Sequence, residues 1–138
     1  MAETLTGGCL CGALRFALAG APGPMVECHC SDCRKIAGGG AAYLVAAKAA
    51  DFTITSGAPA SHTVTADSGA RVTRHFCADC GAPLYSTPDA APGNVYIKVG
   101  AFDDFPAFRP QVAVWTASAP PWHAIPEDAA RFERNPHR

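Results

Sequence analysis

The seven cysteines of this sequence are the residues best suited to chemistry. They form three groups: Cys9-x-Cys11, Cys28-x-Cys30-x-x-Cys33 and Cys77-x-x-Cys80. An odd number of cysteines cannot be fully paired, and cysteines one residue apart are too close for an unstrained disulfide. Thiolates at such spacings are typical ligands of zinc, which favours sulfur donors in tetrahedral sites. The spacing therefore predicts metal sites and not disulfides.

The pair Cys9 and Cys11 and the pair Cys77 and Cys80 have a common sequence pattern. Each has a glycine directly after its second cysteine. Glycine eases the tight turn that lets two thiolates from one turn reach one ion. We expect a structural zinc ion at a four-cysteine site made of Cys9, Cys11, Cys77 and Cys80. Because metal binding supplies folding energy in small domains, the loss of any one ligand should be severe.

The middle group is the more informative one. Its segment reads Cys28-His29-Cys30-Ser31-Asp32-Cys33 and lies where a strand should end and a helical turn begin. Three thiolates can hold one zinc ion and leave the fourth position for water or substrate, as in catalytic zinc sites. The partial positive charge of a helix N-terminus also favours thiolates. We predict that this three-cysteine site, Cys28, Cys30 and Cys33, is catalytic.

Two other interpretations of the three-cysteine site remain open. His29, His75 or Asp32 could supply a fourth ligand and make it a second structural site. His29 should point away from its cysteine neighbours, because side chains alternate along an extended segment. Closely spaced thiols could instead cycle through a disulfide in redox chemistry.

Two basic residues directly follow the three-cysteine site. Arg34 and Lys35 could bind the carboxylates of a substrate, although solvated surface charges are the alternative. His75 is a candidate proton shuttle, with a hydrogen-bonded strand residue as the alternative.

The elements that must position these residues are mostly strands. Leu14, Phe16 and Leu18 alternate with smaller or polar residues, which is the period-two pattern of a half-buried strand. Helical patterns are confined to 31–36 and to 127–133 after Pro126. The predicted strands are 14–18, 25–28, 42–46, 52–55, 62–66, 72–77, 83–86, 95–99 and 112–116. The fold class is therefore mainly β.

Length and charge limit the function further. The chain has 138 residues, 49% hydrophobic and 17% charged, which predicts one domain over 1–138. A formal net charge of -1 leaves no basic surplus for nucleic acid or an acidic membrane. Met1 to Leu5 shows no leader pattern, and no apolar run approaches the roughly 18 residues of a membrane span. We expect a cytoplasmic monomer or homodimer that binds neither nucleic acid nor membranes.

Three segments resemble a known family. They are Gly7-Gly8-Cys9-Leu10-Cys11-Gly12, Cys28-His29-Cys30-Ser31-Asp32-Cys33-Arg34-Lys35 and Arg74-His75-Phe76-Cys77-Ala78-Asp79-Cys80-Gly81. Together they closely resemble the glutathione-dependent formaldehyde-activating enzymes, also called S-(hydroxymethyl)glutathione synthases. The segment 120–133 resembles the tail of the same family, so the resemblance spans nearly the whole chain.

The resemblance implies a fold, a metal content and a reaction. The fold would be a β-tent of short antiparallel sheets that zinc holds together, with one or two short helices. The four-cysteine site would hold a structural zinc ion, and the three-cysteine site a more labile catalytic one. The reaction would be that of a carbon–sulfur lyase, in which the thiol of glutathione adds to formaldehyde or a related small electrophile. Three thiolates make zinc a weak Lewis acid, which suits thiol binding.

The sequence departs from the family pattern at two positions. Members often carry a histidine in a Pro-x-x-His segment and an arginine shortly before a Pro-Trp pair. Here those positions are Ala113 and Ala119. The first change removes a polar group near the predicted site.

A binding or scaffold module is the alternative function, in which both zinc ions only hold the fold together. Some relatives work as interaction proteins and carry added basic segments. This sequence has no basic run, which favours the enzyme.

Overall fold

A computed structural model describes residues 4–66, 68–104 and 108–135 of the chain. Within these ranges no helix is both long and apolar enough to cross a membrane. The prediction about Met1 to Leu5 falls mainly on residues 1–3, which lie outside the described residues. The elements are β1 (Leu5–Gly8), β2 (Arg15–Leu18), β3 (Met25–Cys28), α1 (Ser31–Ala37), β4 (Ala42–Lys48), β5 (Phe52–Ser56), β6 (Ala60–Thr65), β7 (Arg71–Phe76), β8 (Pro83–Pro88), β9 (Asn94–Lys98), β10 (Pro110–Val114) and β11 (Ala130–Arg131). Short 3-10 turns occupy Ala49–Asp51, Val99–Ala101 and Thr116–Ser118.

The strands form two sheets, which confirms the mainly β fold class. The smaller sheet has the order β1-β2-β5, and the larger has the order β11-β10-β3-β4-β9-β8-β7-β6. A strand is present at each of the nine predicted places. The strands that the sequence did not predict are β1, which ends in two glycines, and β11, which has two residues. Both depend on pairing with a neighbour more than on their own side chains.

The direction of pairing differs from the expected short antiparallel sheets in one region. The smaller sheet is antiparallel, but in the larger sheet β10 runs parallel to both β3 and β11. A tight turn forces an antiparallel pair, whereas strands far apart in sequence can pair in either direction. Since β3 and β10 are separated by most of the chain, no turn fixes their direction.

The predicted helix over 127–133 is wrong. A turn, in which Ala129 N–H donates to the Pro126 carbonyl at 3.2 Å, leads instead into β11. Phe132 N–H then donates to the Ala113 carbonyl of β10 at 2.9 Å. A short isolated helix is only marginally stable. Pairing with β10 instead satisfies the backbone hydrogen-bonding groups of this segment.

Apolar side chains cover both faces of the larger sheet. Phe16 and Leu18 of the smaller sheet are 1% exposed and pack in one cluster with Val45 of β4 and Ile97 of β9. The side chain of Leu44 lies on the opposite face of β4 from that of Val45 and belongs to a second cluster. Burying each such side chain contributes roughly 1.5–3 kcal/mol. The four-cysteine site adjoins the first cluster and the three-cysteine site the second, so the two sites lie on opposite faces of this sheet.

Candidate metal centres

The four cysteines predicted to form one site come together in the structure. Their sulfur atoms all lie within 4.8 Å of one another, although Cys9 and Cys77 are far apart in sequence. The Cys11 sulfur lies 3.6 Å from that of Cys9 and 3.7 Å from that of Cys77. These separations match the spacing of ligands around one tetrahedral ion with metal–sulfur distances of about 2.3 Å.

The two turns that carry these cysteines have closely similar backbones. Cys9 N–H donates to the Leu14 carbonyl at 3.1 Å, and Cys77 N–H donates to the Ala82 carbonyl at 3.0 Å. The glycine after each pair has a positive φ, 83° at Gly12 and 77° at Gly81. Residues that have a side chain rarely adopt a positive φ, so both turns require glycine at these positions.

Backbone N–H groups also point at the sulfur atoms of the four-cysteine site. Leu14 N–H lies 3.2 Å from the Cys9 sulfur, and Cys80 N–H lies 3.5 Å from the Cys77 sulfur. The Leu14 hydrogen bond is the main cause that lowers the pKa of Cys9 to about 6. A lowered pKa favours the thiolate, which is the form that binds metal.

The three-cysteine site forms where β3 ends and α1 begins. Cys28 is the last residue of β3, Cys30 is the N-cap of α1, and Cys33 lies in its first turn. Their sulfur atoms lie within 4.8 Å of one another. Cys28 and Cys33 are buried, whereas Cys30 is partly exposed. The cluster is therefore open to solvent on the Cys30 side.

Hydrogen bonds concentrate negative charge on Cys30. The pKa of its thiol is lowered to about 2, first because Cys28 and Cys33 donate to its sulfur and also through Cys33 N–H at 3.2 Å. The pKa of Cys28 is raised, mainly because its thiol is the donor in that pair. Because the three sulfurs share protons in this way, one metal cation can take the place of those protons.

The residues considered as a fourth ligand do not join the three cysteines. His29 is fully buried, and its Nε2 lies 2.8 Å from Glu27 Oε2, which confirms that it points away from its cysteine neighbours. His75 Nε2 lies 3.0 Å from Thr87 Oγ1, and Asp32 is exposed. Among the described residues, no fourth histidine, cysteine or carboxylate lies within 4.8 Å of all three sulfurs. This arrangement does not favour a closed second structural site.

Sequence reasoning missed two cations at this site. Lys98 interacts electrostatically with the thiolates of Cys33 and Cys28, and Arg74 helps lower the pKa of Cys30. Burial is the main cause that lowers the pKa of Lys98. Only the pairing of β9 with β4, in which Lys98 lies opposite Leu44, brings it to this face.

The two basic residues that the sequence did single out lie elsewhere. Arg34 and Lys35 are exposed in the last turn of α1, where positive charge also complements the helix dipole. Their role in substrate binding stays a prediction.

A groove of about 680 Å³ borders the four-cysteine site and reaches Lys98. Its lining includes Cys9 and Leu10 of the first turn, Ala37 at the end of α1, and Lys98. Lys98 thus contacts the groove and also faces the three-cysteine site.

Comparison with known proteins agrees with this geometry. Residues 4–118 match the model of the family described as glutathione-dependent formaldehyde-activating enzyme. A Halomonas elongata protein provisionally named as such an enzyme is 32% identical over 126 residues, which cover 88% of this chain and 80% of the relative. The crystal structure of a Rhodobacter sphaeroides protein is similar with a TM-score of 0.59 and 21% identity, over 74% of this chain and 91% of that one. The latter similarity shows the fold, whereas the family match and the arrangement of the cysteines together lead to one conclusion: the chain belongs to the glutathione-dependent formaldehyde-activating enzyme family.

Proposed function

We propose that the protein is a zinc-dependent carbon–sulfur lyase that joins the thiol of glutathione to formaldehyde or a related small electrophile. The observation that carries the proposal is the three-cysteine site, which has three clustered sulfurs, an exposed side at Cys30 and no fourth protein ligand among the described residues. A structural site needs four protein ligands, and a site that binds substrate keeps one position open.

The donor atoms fit zinc at both sites. Four sulfurs make a closed tetrahedral set, and three sulfurs make an incomplete one. A zinc ion held by Cys28, Cys30 and Cys33 would supply a position at which an incoming thiol binds as its thiolate. The four-cysteine site would serve only the fold.

The proposed reaction forms one bond between two small molecules. The thiol sulfur bonds to the carbonyl carbon, the carbonyl π bond breaks, and the thiol proton ends on the new hydroxyl oxygen. The reverse reaction cleaves the same carbon–sulfur bond, which is the reason for the class name. Holding the two reactants together would supply most of the rate enhancement.

Basic residues around the three-cysteine site would hold the rest of the thiol. Lys98 and Arg74 place positive charge beside sulfurs that are rich in negative charge. We propose that Lys98 offsets the added charge of an incoming thiolate, and that Arg34 and Lys35 bind the carboxylates of glutathione.

A cytoplasmic location agrees with this proposal. None of the seven cysteines forms a disulfide in the structure. Free thiols persist in the reducing cytosol, where disulfides are rare.

A titration of the cobalt-substituted protein with glutathione tests the proposal. Co(II) in the three-cysteine site reports thiolate ligation through its visible absorption, whereas zinc is spectroscopically silent. We expect a saturable change with glutathione, no change with S-methylglutathione, which has no free thiol, and no signal from this site in Cys30→Ala.

The opposite result would favour a scaffold. If millimolar glutathione leaves the absorption unchanged in a protein that holds cobalt at this site, no thiol reaches the metal. The three-cysteine site would then have a structural role.

A further inference from the structure

A second set of metal-binding side chains lies on the other side of β3 from the three-cysteine site. Glu27 and His29 alternate with Cys28 and Cys30 along the chain, so the two pairs point in opposite directions. The alternation continues past the end of β3, because His29 N–H still donates to the Val114 carbonyl of β10 at 3.0 Å. One short segment therefore presents sulfur on one side and nitrogen and oxygen on the other.

A third side chain completes this set from a distant part of the chain. His123 Nε2 lies 3.3 Å from Glu27 Oε1, and His29 Nε2 lies 2.8 Å from Glu27 Oε2. The three ligand atoms all lie within 4.8 Å of one another. Glu27 and His29 are completely buried, and the side chain of His123 is 12% exposed.

The hydrogen bonds of His29 leave a place for a cation. Its Nδ1 lies 3.1 Å from the Gly40 carbonyl oxygen, which only accepts, so Nδ1 carries the hydrogen. In a neutral ring the lone pair of Nε2 then faces the Glu27 carboxylate, and two acceptors in contact need either a proton or a metal ion between them. Histidines that bind metals commonly have this arrangement, with one ring nitrogen on a backbone carbonyl and the other on the ion.

The surroundings of Glu27 supply no other strong cation. Its ion-pair partners within the described ranges are His29 and His123, and neither lysine nor arginine is among them. A fully buried carboxylate is costly without a compensating charge. A divalent ion would neutralise it without charging both histidines.

We propose that Glu27, His29 and His123 form a further metal site, separate from both cysteine sites, that takes a divalent first-row transition ion such as Zn²⁺ or Co²⁺. Two imidazoles and one carboxylate are donors that suit these ions. Ligands about 2.0–2.2 Å from a tetrahedral ion lie roughly 3.3–3.6 Å apart. The pair of His123 and Glu27 already has this separation, and the pair of His29 and Glu27 must widen by about half an ångström.

The site also has a route for the ion and room for one more neighbour. The slight exposure of His123 places one ligand at the surface, on the side from which an ion would enter. The Tyr43 hydroxyl lies 3.0 Å from His123 Nε2 and also hydrogen-bonds with Glu27, so it can donate to that carboxylate when the nitrogen binds the ion.

Cobalt binding to protein whose cysteine sites are filled tests this site. Purified protein is loaded with two equivalents of Zn²⁺, which the thiolates hold, and is then titrated with Co²⁺. Cobalt binds a given site more weakly than zinc does and therefore does not displace it. We expect one further equivalent of Co²⁺ to bind with an absorption spectrum that lacks sulfur-to-metal charge transfer. His123→Gln should weaken this binding at least tenfold, and His75→Gln, which changes a partly buried histidine outside the cluster, should leave it unchanged.

Crystals of the cobalt-loaded protein keep the test decisive even if a variant folds poorly. Anomalous scattering from cobalt should place a peak between Glu27, His29 and His123 in the unchanged protein. The proposal is wrong if the zinc-filled protein binds no further Co²⁺, if His123→Gln binds it as tightly, or if the peak lies elsewhere. None of these results depends on thiol binding at the cysteines, so failure here is distinguishable from failure of the proposed function.

Discussion

At the scale of single residues, Lys98 gains a role at the three-cysteine site from its position in the fold. It lines the groove and interacts with the thiolates of the three-cysteine site, although nothing in the sequence near it suggests a role. Its position on β9 is set by pairing with β4. A residue of this kind acts through its charge, and its effect should be measurable without loss of the fold.

Replacing Lys98 with methionine should weaken thiol binding. Removing one positive charge beside a cluster of thiolates should cost about 1 kcal/mol, or roughly a fivefold rise in KM for glutathione. Steady-state kinetics with separate kcat and KM values is the measurement. Lys48→Met changes an exposed lysine at the end of β4 and should leave KM unchanged. Equal KM values for the two variants would contradict a role for Lys98.

At the scale of elements, the cysteine turns depend on backbone conformation. Gly81 has a φ of 77°, and a Cβ atom built there would meet nothing within 4 Å. Any penalty for a side chain is therefore conformational and not steric. Gly100 also has open space around it but lacks a positive φ, which makes it a matched control.

Gly81→Ala should lower the free energy of unfolding by about 1–2 kcal/mol, the cost of a left-handed conformation for a residue with a Cβ. Gly100→Ala should be neutral or slightly stabilising. Chemical denaturation of the zinc-loaded proteins measures both values. A loss at Gly100 as large as that at Gly81 would show that the left-handed turn is not the cause.

A surface ion pair links β2 to the segment after β9. Arg15 pairs with Asp103 through two hydrogen bonds, one of them at 2.9 Å, and Thr6 Oγ1 donates to the same carboxylate at 2.7 Å. These contacts, with Arg15 first, lower the pKa of Asp103 from its usual 3.8 to about 2. Because the pKa is lower in the folded state, the stabilisation is present above about pH 4 and is lost as pH falls towards 2.

Asp103→Asn should therefore lower the melting temperature at neutral pH, and its difference from the unchanged protein should shrink between about pH 4 and pH 2. Asp104→Asn changes the exposed neighbour and is the control. Acid also removes metal from thiolates, but it does so in all three proteins. A difference that persists unchanged at pH 2 would exclude the ion pair as its origin.

At the scale of the whole molecule, the four-cysteine site joins parts of the chain that the sheets do not join. Cys9 follows β1 of the smaller sheet, and Cys77 follows β7 of the larger sheet. Cys11 and Cys77 are 66 residues apart, so an ion held between them closes a long loop. The core between the sheets would lose this connection without the ion.

Removal of zinc with a strong chelator should lower the free energy of unfolding by more than about 4 kcal/mol, because bound structural zinc contributes more than that in small domains. Thermal unfolding with and without chelator measures the effect, and added zinc should restore the original midpoint. Cys30→Ala should remain sensitive to the chelator, because its four-cysteine site is intact. An unchanged midpoint after verified metal removal would contradict the structural role.

The sequence by itself determined the features that depend on local spacing. The grouping of the cysteines into four and three, the glycines of the two turns, nine of the strands and the first helix follow from short-range geometry and alternation. Such features are readable because residues a few positions apart constrain one another directly.

Only the tertiary structure decided the features that depend on pairing between distant segments. The parallel pairing of β10 with β3, the strand in place of the second helix, the approach of Lys98 to the cysteines and that of His123 to Glu27 all join residues far apart in the chain. The cause is physical: backbone hydrogen bonds and burial across the larger sheet outweigh local propensity, and a single sequence does not show which segments will become neighbours.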